Sequence, residues 1–262
     1  MTLARDFYLP KWINPWIGSM IQIEGRNPVY DALKENLVVR VKIAEEVRRD
    51  RKVQEIIDLS SMRGVPIETM SRSELNAISV TGHPQGVIAY IKSPQKRSLE
   101  QILTEADKGV CVLILDRVQD PNNLGAILRT AEATRVDSII IPKRGSVSLT
   151  PTVHRVSMGG SIYVPVLKES LYTALKLLKK EGFRVVGVDP SGSKDYFTEE
   201  LTGTIAFVLG GEDRGISPTL LAKCDVVVRI PMLGRLSSLN VTVATAVILY
   251  ERVRQQLSRA QI

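Results

Sequence analysis

The stretch VCVLILDRVQDPNNLGAILRT, residues 110–130, decides the fold class because an apolar run passes directly into an amphipathic segment. Six consecutive apolar residues, at positions 110–115, are typical of a short strand that is buried on both faces. The apolar positions that follow are spaced like one face of a helix, at Leu124, Ile127, Leu128 and Ala131. A strand followed at once by a helix predicts an α/β domain with a mainly parallel sheet.

The alternation of strand and helix continues to the end of the chain. We predict further strands over the apolar runs SIIIPK, SIYVPV, RVVGVD, TIAFVLG and DVVVRIPM. Further helices are predicted over LYTALKLLKKEGF and over the apolar stretch that begins at Val241. Ligands of a parallel sheet gather at the carboxyl ends of its strands, so a site is expected in the loops that follow them.

The residues before this domain predict a second, smaller α/β unit. EGRNPVYDALKEN predicts a helix entered at Asn27 with Pro28 at its first helical position, and Gly64 predicts the end of a basic helix. Ser93 and Pro94 end the last apolar run and open a polar stretch, which predicts a linker. The predicted parts are an N-terminal extension at 1–20, a front domain at 21–92, a linker at 93–107 and a rear domain at 108–262.

Composition sets limits on the class of protein. The net charge of +7 is equally compatible with a protein that binds nucleic acid and with a basic protein that does not. No run is long enough to span a bilayer, and the first twenty residues do not resemble a signal peptide, so we expect a cytoplasmic protein without a membrane partner. Cys111 and Cys224 lie in apolar runs and are interpreted as buried thiols.

Two of the loops after predicted strands have ordinary explanations when each is considered alone. In residues 116–133, a helix cap at Asn122 or Asn123 and a solvated Arg129 explain the polar residues better than a site does. In residues 207–217, the paired glycines before Glu212 fit a turn that approaches a ligand and a plain tight turn equally well.

The third loop, residues 229–240, is harder to explain by local structure. Ser237, Ser238 and Asn240 stand together at the mouth of the last helix. A helix N-cap contributes on the order of 1 kcal/mol, and one polar side chain is enough to supply it. The surplus of polar side chains therefore indicates a functional site.

Several common sites have no counterpart in the sequence. There is no G-x-G-x-x-G after the first strand, no G-x-x-x-x-G-K-[ST], no G-x-S-x-G and no metal-ligand spacing of Cys and His. His83 and His154 are the two histidines, and neither lies in the three loops. Dehydrogenase and hydrolase functions are therefore disfavoured, and no metal is expected.

The three loops together resemble the SpoU (TrmH-type) family of RNA ribose 2′-O-methyltransferases, in the SPOUT superfamily. The motif N-x-G-x-x-x-R is matched at residues 123–129, G-x-E-x-x-G-x-S at 210–217, and I-P-M-x-G-x-x-x-S-L-N-V at 230–241. SMGGSIYVPV is similar to a further family segment, and EGRNPVYDAL and VTGHPQGVIA resemble the RNA-binding domain of members that act on ribosomal RNA. The resemblance covers residues 21–262.

The resemblance implies a fold and a cofactor. The fold is an α/β domain with a C-terminal trefoil knot, joined to a small N-terminal domain akin to certain ribosomal proteins. The second and third loops would fold together and hold S-adenosylmethionine through main-chain groups. The residues implied in cofactor binding are Leu209, Gly210, Ile230, Met232 and Leu239.

The resemblance also implies roles at the reaction centre. Asn123 and Asn240 would orient the ribose and Arg129, Ser238 would hydrogen-bond within this cluster, and Glu212 would fix its loop or meet the substrate. The counterpart of Arg129 is the base proposed in the family. A guanidinium is always protonated in proteins, so we favour a role in which Arg129 binds a phosphate and stabilises developing negative charge.

The expected partners are RNA and a second copy of the chain. Candidate RNA contacts in the front domain are Arg26, Asn27, Gln85 and Gly86, although a plain turn explains Gly86 about as well. The front domain favours ribosomal RNA over transfer RNA as the substrate. A non-catalytic RNA-binding module is the alternative from a different functional class.

Overall fold

The computed structural model describes residues 20–92, 97–106, 109–211 and 214–260, and these residues form two sheets. One sheet has four strands and the other has seven. The first sheet belongs to the front domain and the second to the rear domain. The chain is therefore an α/β protein with a smaller N-terminal unit, as the sequence predicts.

The front domain combines a mixed sheet with three helices. Its elements are β1 (Ile21–Glu24), α1 (Arg26–Lys34), β2 (Val38–Ala44), α2 (Arg51–Met62), β3 (Ile67–Met70), α3 (Arg72–Ala77) and β4 (Val87–Ile91). Strand β4 pairs antiparallel with β1 and β2, and β2 pairs parallel with β3. Helix α3 begins with a reciprocal capping box between Ser71 and Glu74.

The rear domain is organised around a parallel sheet. Its elements are α4 (Leu99–Leu103), β5 (Cys111–Asp116), α5 (Pro121–Ala133), β6 (Ser138–Pro142), α6 (Pro151–Val156), α7 (Gly160–Tyr163), β7 (Val166–Glu169), α8 (Leu171–Lys180), β8 (Arg184–Val188), β9 (Lys194–Asp195), β10 (Ile205–Gly210), α9 (Pro218–Leu221), β11 (Val226–Arg229) and α10 (Val241–Ala260). Every strand pairing in this sheet is parallel. The strand order is β7-β6-β5-β10-β8-β11-β9, so the central strand β10 lies between β5 and β8. The trefoil knot stays a prediction of the resemblance.

The sheet of the rear domain is buried on both faces because side chains along a strand alternate in direction. On one face, Leu113 of β5 packs in a cluster with residues of α5 and α10. On the other face, Ile114 packs in a cluster with residues of α8 and α4. This double burial explains why the strands are apolar at nearly every position.

One of the two cysteines is buried as the sequence predicts, and the other is only partly so. Cys111 is buried, whereas Cys224 is only partly buried. Burial raises the pKa of the Cys111 thiol to about 12 and that of Cys224 to about 11, so neither thiol is reactive near neutral pH. No helix in the described part of the chain is long and apolar enough to cross a membrane.

The structure corrects several local predictions. SIYVPV, expected to be a strand, begins as the short helix α7, and the strand β7 starts only at Val166. Helix α1 begins at Arg26 after Gly25, so Asn27 is inside the helix and Pro28 is not at its first position. The N-cap of α5 is Asp120, whose carboxylate accepts from the Asn122 N–H, and neither asparagine caps the helix.

The predicted linker contains a helix that the sequence did not reveal. Residues 93–96 and 107–108 lie outside the described part, but α4 lies between them. Its Leu99 and Ile102 are buried in the core of the rear domain, and Ser98 caps it. This part of the linker is therefore packed on the rear domain.

The two domains meet at the segment SMGG, residues 157–160, and helix α7. Ile162 of α7 is buried in the hydrophobic cluster of the front domain. The Tyr163 hydroxyl donates to Asp31 Oδ1 over 3.1 Å, and the Asn27 side-chain amide lies 3.9 Å from Met158 Sδ. Gly159 has a φ of +104°, and a Cβ there would lie 2.2 Å from Asp31 Oδ2, so only glycine fits at this contact.

Candidate functional site

A cavity of about 410 Å³ opens at the carboxyl ends of β8 and β10, beside the first turn of α10. Its described lining includes all five residues implied in cofactor binding: Leu209, Gly210, Ile230, Met232 and Leu239. Ser237, Ser238 and Asn240 from the third loop line the same cavity. The described residues of the second and third loops therefore converge on one pocket.

The glycines of the second loop allow the chain to fold tightly against the end of β10. A Cβ on Gly210 would lie 1.9 Å from the carbonyl carbon of Gly215, and one on Gly211 would lie 2.3 Å from the Arg117 carbonyl oxygen. Gly211 and Gly215 are joined by an isolated antiparallel bridge. Because side chains would block these approaches, the glycines leave backbone groups lining the cavity. Glu212 lies outside the described residues.

The mouth of α10 is capped by Asn240, not by a serine. The Asn240 Oδ1 accepts from the backbone N–H of Thr242 over 2.8 Å and from its hydroxyl over 2.6 Å. Its amide nitrogen donates to Asn123 Oδ1 over 3.4 Å, which joins the first and third loops. Ser237 and Ser238 have no hydrogen-bond partner in the part of the chain that the structure describes, so Ser238 does not bond within this cluster. Both hydroxyls remain available to a ligand.

Arg129 lies near the site but does not line the cavity. It is exposed on α5, roughly 9 Å along the helix axis from Asn123 at 1.5 Å per residue. It forms no ion pair or hydrogen bond with any described residue. An exposed guanidinium with no partner among the described residues can bind an external anion.

Two glycines hold the helix of Arg129 close to its neighbours. A Cβ on Gly125 would lie 2.7 Å from Val156 Cβ, and a Cβ on Gly160 would lie 2.7 Å from the Leu128 carbonyl oxygen. Helix α5 therefore packs closely against both α6 and α7. The second of these contacts connects Arg129 to the segment that also touches the front domain.

A buried carboxylate that the sequence analysis did not single out supports the second loop. Asp116, at the end of β5, accepts a hydrogen bond from the Ser217 N–H over 2.8 Å and pairs with Arg117 over 3.1 Å. Its carbonyl oxygen also accepts from the Gly211 N–H over 2.8 Å. Asp116 therefore holds both ends of the second loop against the end of β5. Its place directly after a strand can be seen in the sequence, but its contact with Ser217 can be seen only in the tertiary structure.

The four candidate RNA contacts of the front domain form one cluster. The Arg26 guanidinium pairs with Asp50 over 2.7 Å and donates to the Gln85 carbonyl oxygen over 3.3 Å. Gly86 has a φ of +80°, and a Cβ there would lie 2.6 Å from a Val47 methyl group, so this glycine is required by its surroundings. Asn27 faces Met158 of the rear domain. The cluster thus lies on the side of the front domain that meets SMGG.

The described residues contain no group of three or more His, Cys, Asp or Glu side chains able to hold a metal ion. His154 is fully buried, with Nδ1 2.8 Å from the Ser161 hydroxyl, and burial lowers its pKa to about 4. It lies on α6, away from the cavity lining. It is therefore a structural residue that joins α6 to α7.

Comparison with known proteins agrees with this geometry. The model of the SpoU rRNA methylase family matches residues 110–250, and the model for RNA 2′-O ribose methyltransferase substrate binding matches residues 22–97. A protein of Staphylococcus aureus (strain COL), described as a TrmH family tRNA/rRNA methyltransferase, is 36% identical over 238 residues, which cover 89% of this chain and 96% of that relative.

Two solved structures are similar over nearly the whole chain. The SpoU methyltransferase AviRb from Streptomyces viridochromogenes, in complex with AdoMet, has a TM-score of 0.76 at 26% identity, covering 92% of this chain and 91% of that one. An rRNA methyltransferase from Sinorhizobium meliloti has a TM-score of 0.74 at 25% identity, covering 90% and 88%.

Proposed function

We propose that this chain, which belongs to the SpoU rRNA methylase family of RNA 2′-O-ribose methyltransferases, uses S-adenosylmethionine to methylate a ribose of ribosomal RNA. The observation that carries the proposal is the convergence of the family's second and third motifs on one cavity. The hydrogen bond between Asn240 and Asn123 joins the first motif to the rim of the same cavity. The cofactor and the RNA would meet at this junction.

The cavity suits S-adenosylmethionine in size and in the groups that it presents. Its volume of about 410 Å³ is in the range of pockets that enclose small ligands. Apolar side chains such as Ile230 and Met232 offer no hydrogen bonds, so adenine and ribose would be recognised by exposed backbone groups next to them. AviRb, which shares the fold, holds AdoMet in its crystal structure.

The residues around the cavity can support methyl transfer to oxygen. S-adenosylmethionine supplies an activated methyl group on a positively charged sulfur. Asn123 and Asn240 would orient the ribose so that its 2′-oxygen is in line with that methyl group. Arg129 would bind a phosphate of the RNA and stabilise negative charge as it develops on the oxygen. The hydroxyl proton would leave to the phosphate or to water.

Ser238 and Glu212 are two further residues of the proposed site. Ser238, whose hydroxyl has no partner among the described residues, would donate to the substrate or cofactor. Glu212 follows the glycine pair at the end of β10 and would fix its loop or meet the substrate. We propose both as catalytic residues.

The front domain favours ribosomal RNA as the substrate. The rRNA methyltransferase from Sinorhizobium meliloti is similar over 90% of this chain, which includes most of the front domain. In this chain the cluster of Arg26, Asn27, Gln85 and Gly86 adjoins the segment that packs against the helix of Arg129. RNA held by the front domain would therefore be guided toward the cavity. Transfer RNA is the second candidate, since the relative from Staphylococcus aureus carries both substrates in its description.

A homodimer through α10 would cover the apolar residues that this helix leaves exposed. Val243, Tyr250 and Leu257 are spaced seven residues apart on one face and are 47%, 55% and 61% exposed. Leu233 and Leu236 of the third loop are exposed at 98% and 75%. A run of exposed apolar side chains marks a surface for another protein. Because the third loop also lines the cavity, the interface would lie next to the site.

The proposal is tested first by titrating the full chain with S-adenosylmethionine in a calorimeter, and then by methylation of RNA. We expect binding in the micromolar range and transfer of a labelled methyl group to 23S-type ribosomal RNA. Ribose methylation would then be mapped in RNA from cells with and without the protein. Transfer to transfer RNA alone would overturn the substrate, and absence of cofactor binding would favour the non-catalytic RNA-binding module.

A further inference from the structure

We propose that Asp189 recognises the positive charge of the methyl donor, so that the cavity prefers the charged donor to the neutral product. The inference rests on the proposed function and names a residue that none of the three motifs contains. Asp189 follows β8 directly and lines the cavity together with Leu209 and Gly215. Among the lining residues that the structure describes, it alone has an ionisable side chain.

The carboxylate of Asp189 is held in place by its own loop. Its Oδ1 accepts from the backbone N–H of Ser191 over 2.9 Å and from the Ser191 hydroxyl over 2.6 Å. The backbone N–H of Asp189 donates to the Val228 carbonyl oxygen over 3.0 Å. The side chain is therefore fixed before any ligand arrives, which lowers the entropic cost of binding.

The second oxygen of the carboxylate faces Gly215 of the second loop. Oδ2 lies 3.3 Å from the point at which a Cβ on Gly215 would stand, and this glycine has a φ of +60°. No described residue donates a hydrogen bond to Oδ2, and no described cation pairs with the carboxylate. A half-buried negative charge without a cation favours a ligand that supplies one.

The two forms of the cofactor differ by one positive charge at the sulfur. S-adenosylmethionine has a sulfonium, an ammonium and a carboxylate, and its net charge is +1. When the methyl group moves to the ribose oxygen and the hydroxyl proton leaves, the sulfur keeps the electron pair of the broken bond and becomes a neutral thioether. S-adenosylhomocysteine therefore has a net charge of zero.

The size of the cavity keeps a bound cofactor close to Asp189. A volume of about 410 Å³ is that of a sphere roughly 9 Å across, and opposite charges at that separation attract strongly enough to change a dissociation constant by about tenfold. The attraction disappears when the sulfur becomes neutral, while the contacts to adenine and ribose remain. Asp189 would thus strengthen binding of the donor and ease release of the product.

The test compares three ligands with the wild-type chain and Asp189→Asn by calorimetry. The ligands are S-adenosylmethionine, S-adenosylhomocysteine and sinefungin, which has a protonated amine beside the position of the sulfur. Asparagine can still accept from Ser191, so the loop is retained. We expect the dissociation constants of both cationic ligands to rise about tenfold in the variant, and that of S-adenosylhomocysteine to change less than twofold.

Asp195→Asn is the matched control, because it removes the same charge from a residue that pairs with Arg229 and does not line the cavity. It should leave all three dissociation constants unchanged. An equal loss for charged and neutral ligands, or no loss, in Asp189→Asn would overturn the inference. A wild-type chain that binds none of the ligands would instead overturn the proposed function, on which the inference rests.

Discussion

The hydroxyl of Tyr163 in the rear domain donates a hydrogen bond to Asp31 in the front domain, and the same carboxylate pairs with Lys34 over 2.6 Å. Lys34 also lies over the ring of Tyr163, with its ammonium nitrogen 5.7 Å from the ring centroid. Gly160, three positions before Tyr163, packs against the backbone of the helix that bears Arg129. The position of the front domain is therefore tied to the position of Arg129.

Removing this hydrogen bond should impair the use of RNA without affecting the cofactor. In Tyr163→Phe we expect kcat/KM for full-length RNA to fall about three- to tenfold, the range for one partly exposed hydrogen bond to a charged group. The dissociation constant for S-adenosylmethionine should not change. Tyr172→Phe, at an exposed tyrosine on α8, serves as the control and should behave as wild type. Equal kinetics for both variants would show that the contact does not position the RNA.

Arg129→Lys should separate a phosphate-binding role from simple positive charge. Lysine keeps the charge but loses the fork that binds two oxygens, so we expect kcat/KM to fall at least tenfold while cofactor affinity is retained. Methylation of RNA under single-turnover conditions is the measurement. Arg135→Lys, at an exposed arginine just beyond the same helix, is the control. Near-normal turnover by Arg129→Lys would contradict the role.

Acid should weaken the fold through His154 in a defined pH range. The pKa of the imidazole is about 4 in the folded chain because of burial, against 6.5 for an unperturbed histidine. Between these values the unfolded chain takes up a proton that the folded chain does not, so the free energy of unfolding falls as the pH falls from 6.5 to 4. The slope from this group is at most roughly 1.4 kcal/mol per pH unit.

Urea unfolding at several pH values would measure this slope. His154→Gln should lose it, because glutamine does not titrate and can still bond to Ser161. His83→Gln, at an exposed histidine, should keep it. The pKa of Glu24 is also shifted: burial raises it, but four hydrogen bonds, from Thr81, Val80, Ser79 and Gln22, together lower it more, so its contribution to stability is lost as the pH falls below the ordinary value of 4.5. A slope unchanged in His154→Gln would contradict the prediction.

A charge on the exposed face of α10 should break the proposed dimer. Tyr250→Glu would bury an unpaired carboxylate in that interface, which is costly, so we expect monomers at concentrations where the wild type is dimeric. Sedimentation velocity measures the change. Tyr172→Glu introduces the same charge on an exposed tyrosine elsewhere and should not alter the oligomeric state. A wild-type chain that sediments as a monomer would refute the interface.

The sequence predicted the elements whose pattern is long and regular. The strands β5 and β10 and the helix α5 were predicted because each has an uninterrupted apolar run or stripe, and three motifs located the loops beside them. SIYV was predicted wrongly as part of a strand because a short apolar run fits a helix or a strand equally well. Tertiary contacts favour the helix here, because Gly160 packs against α5.

Other features depend on residues that are distant in the sequence. The sequence does not identify Asp120 as the cap of α5, because Asp120, Asn122 and Asn123 lie within four positions and all have the chemistry of a cap. The contact between Asp31 and Tyr163 leaves no mark on either local pattern. Asp189 is a single acid after a strand, and only the cavity distinguishes it from a surface aspartate.

The place of β10 in the middle of the sheet has a consequence for synthesis. Strands β5, β6, β7 and β8 leave the ribosome before β10, yet β5 and β8 do not pair with each other and need β10 between them. A nascent chain that stops short of β10 lacks both described partners of β8, which are β10 and β11, and leaves one edge of β5 unpaired; such edges promote aggregation or bind chaperones. Leu209 and Gly210 at the end of β10 line the cavity, so a chain that stops before β10 lacks part of the proposed cofactor site.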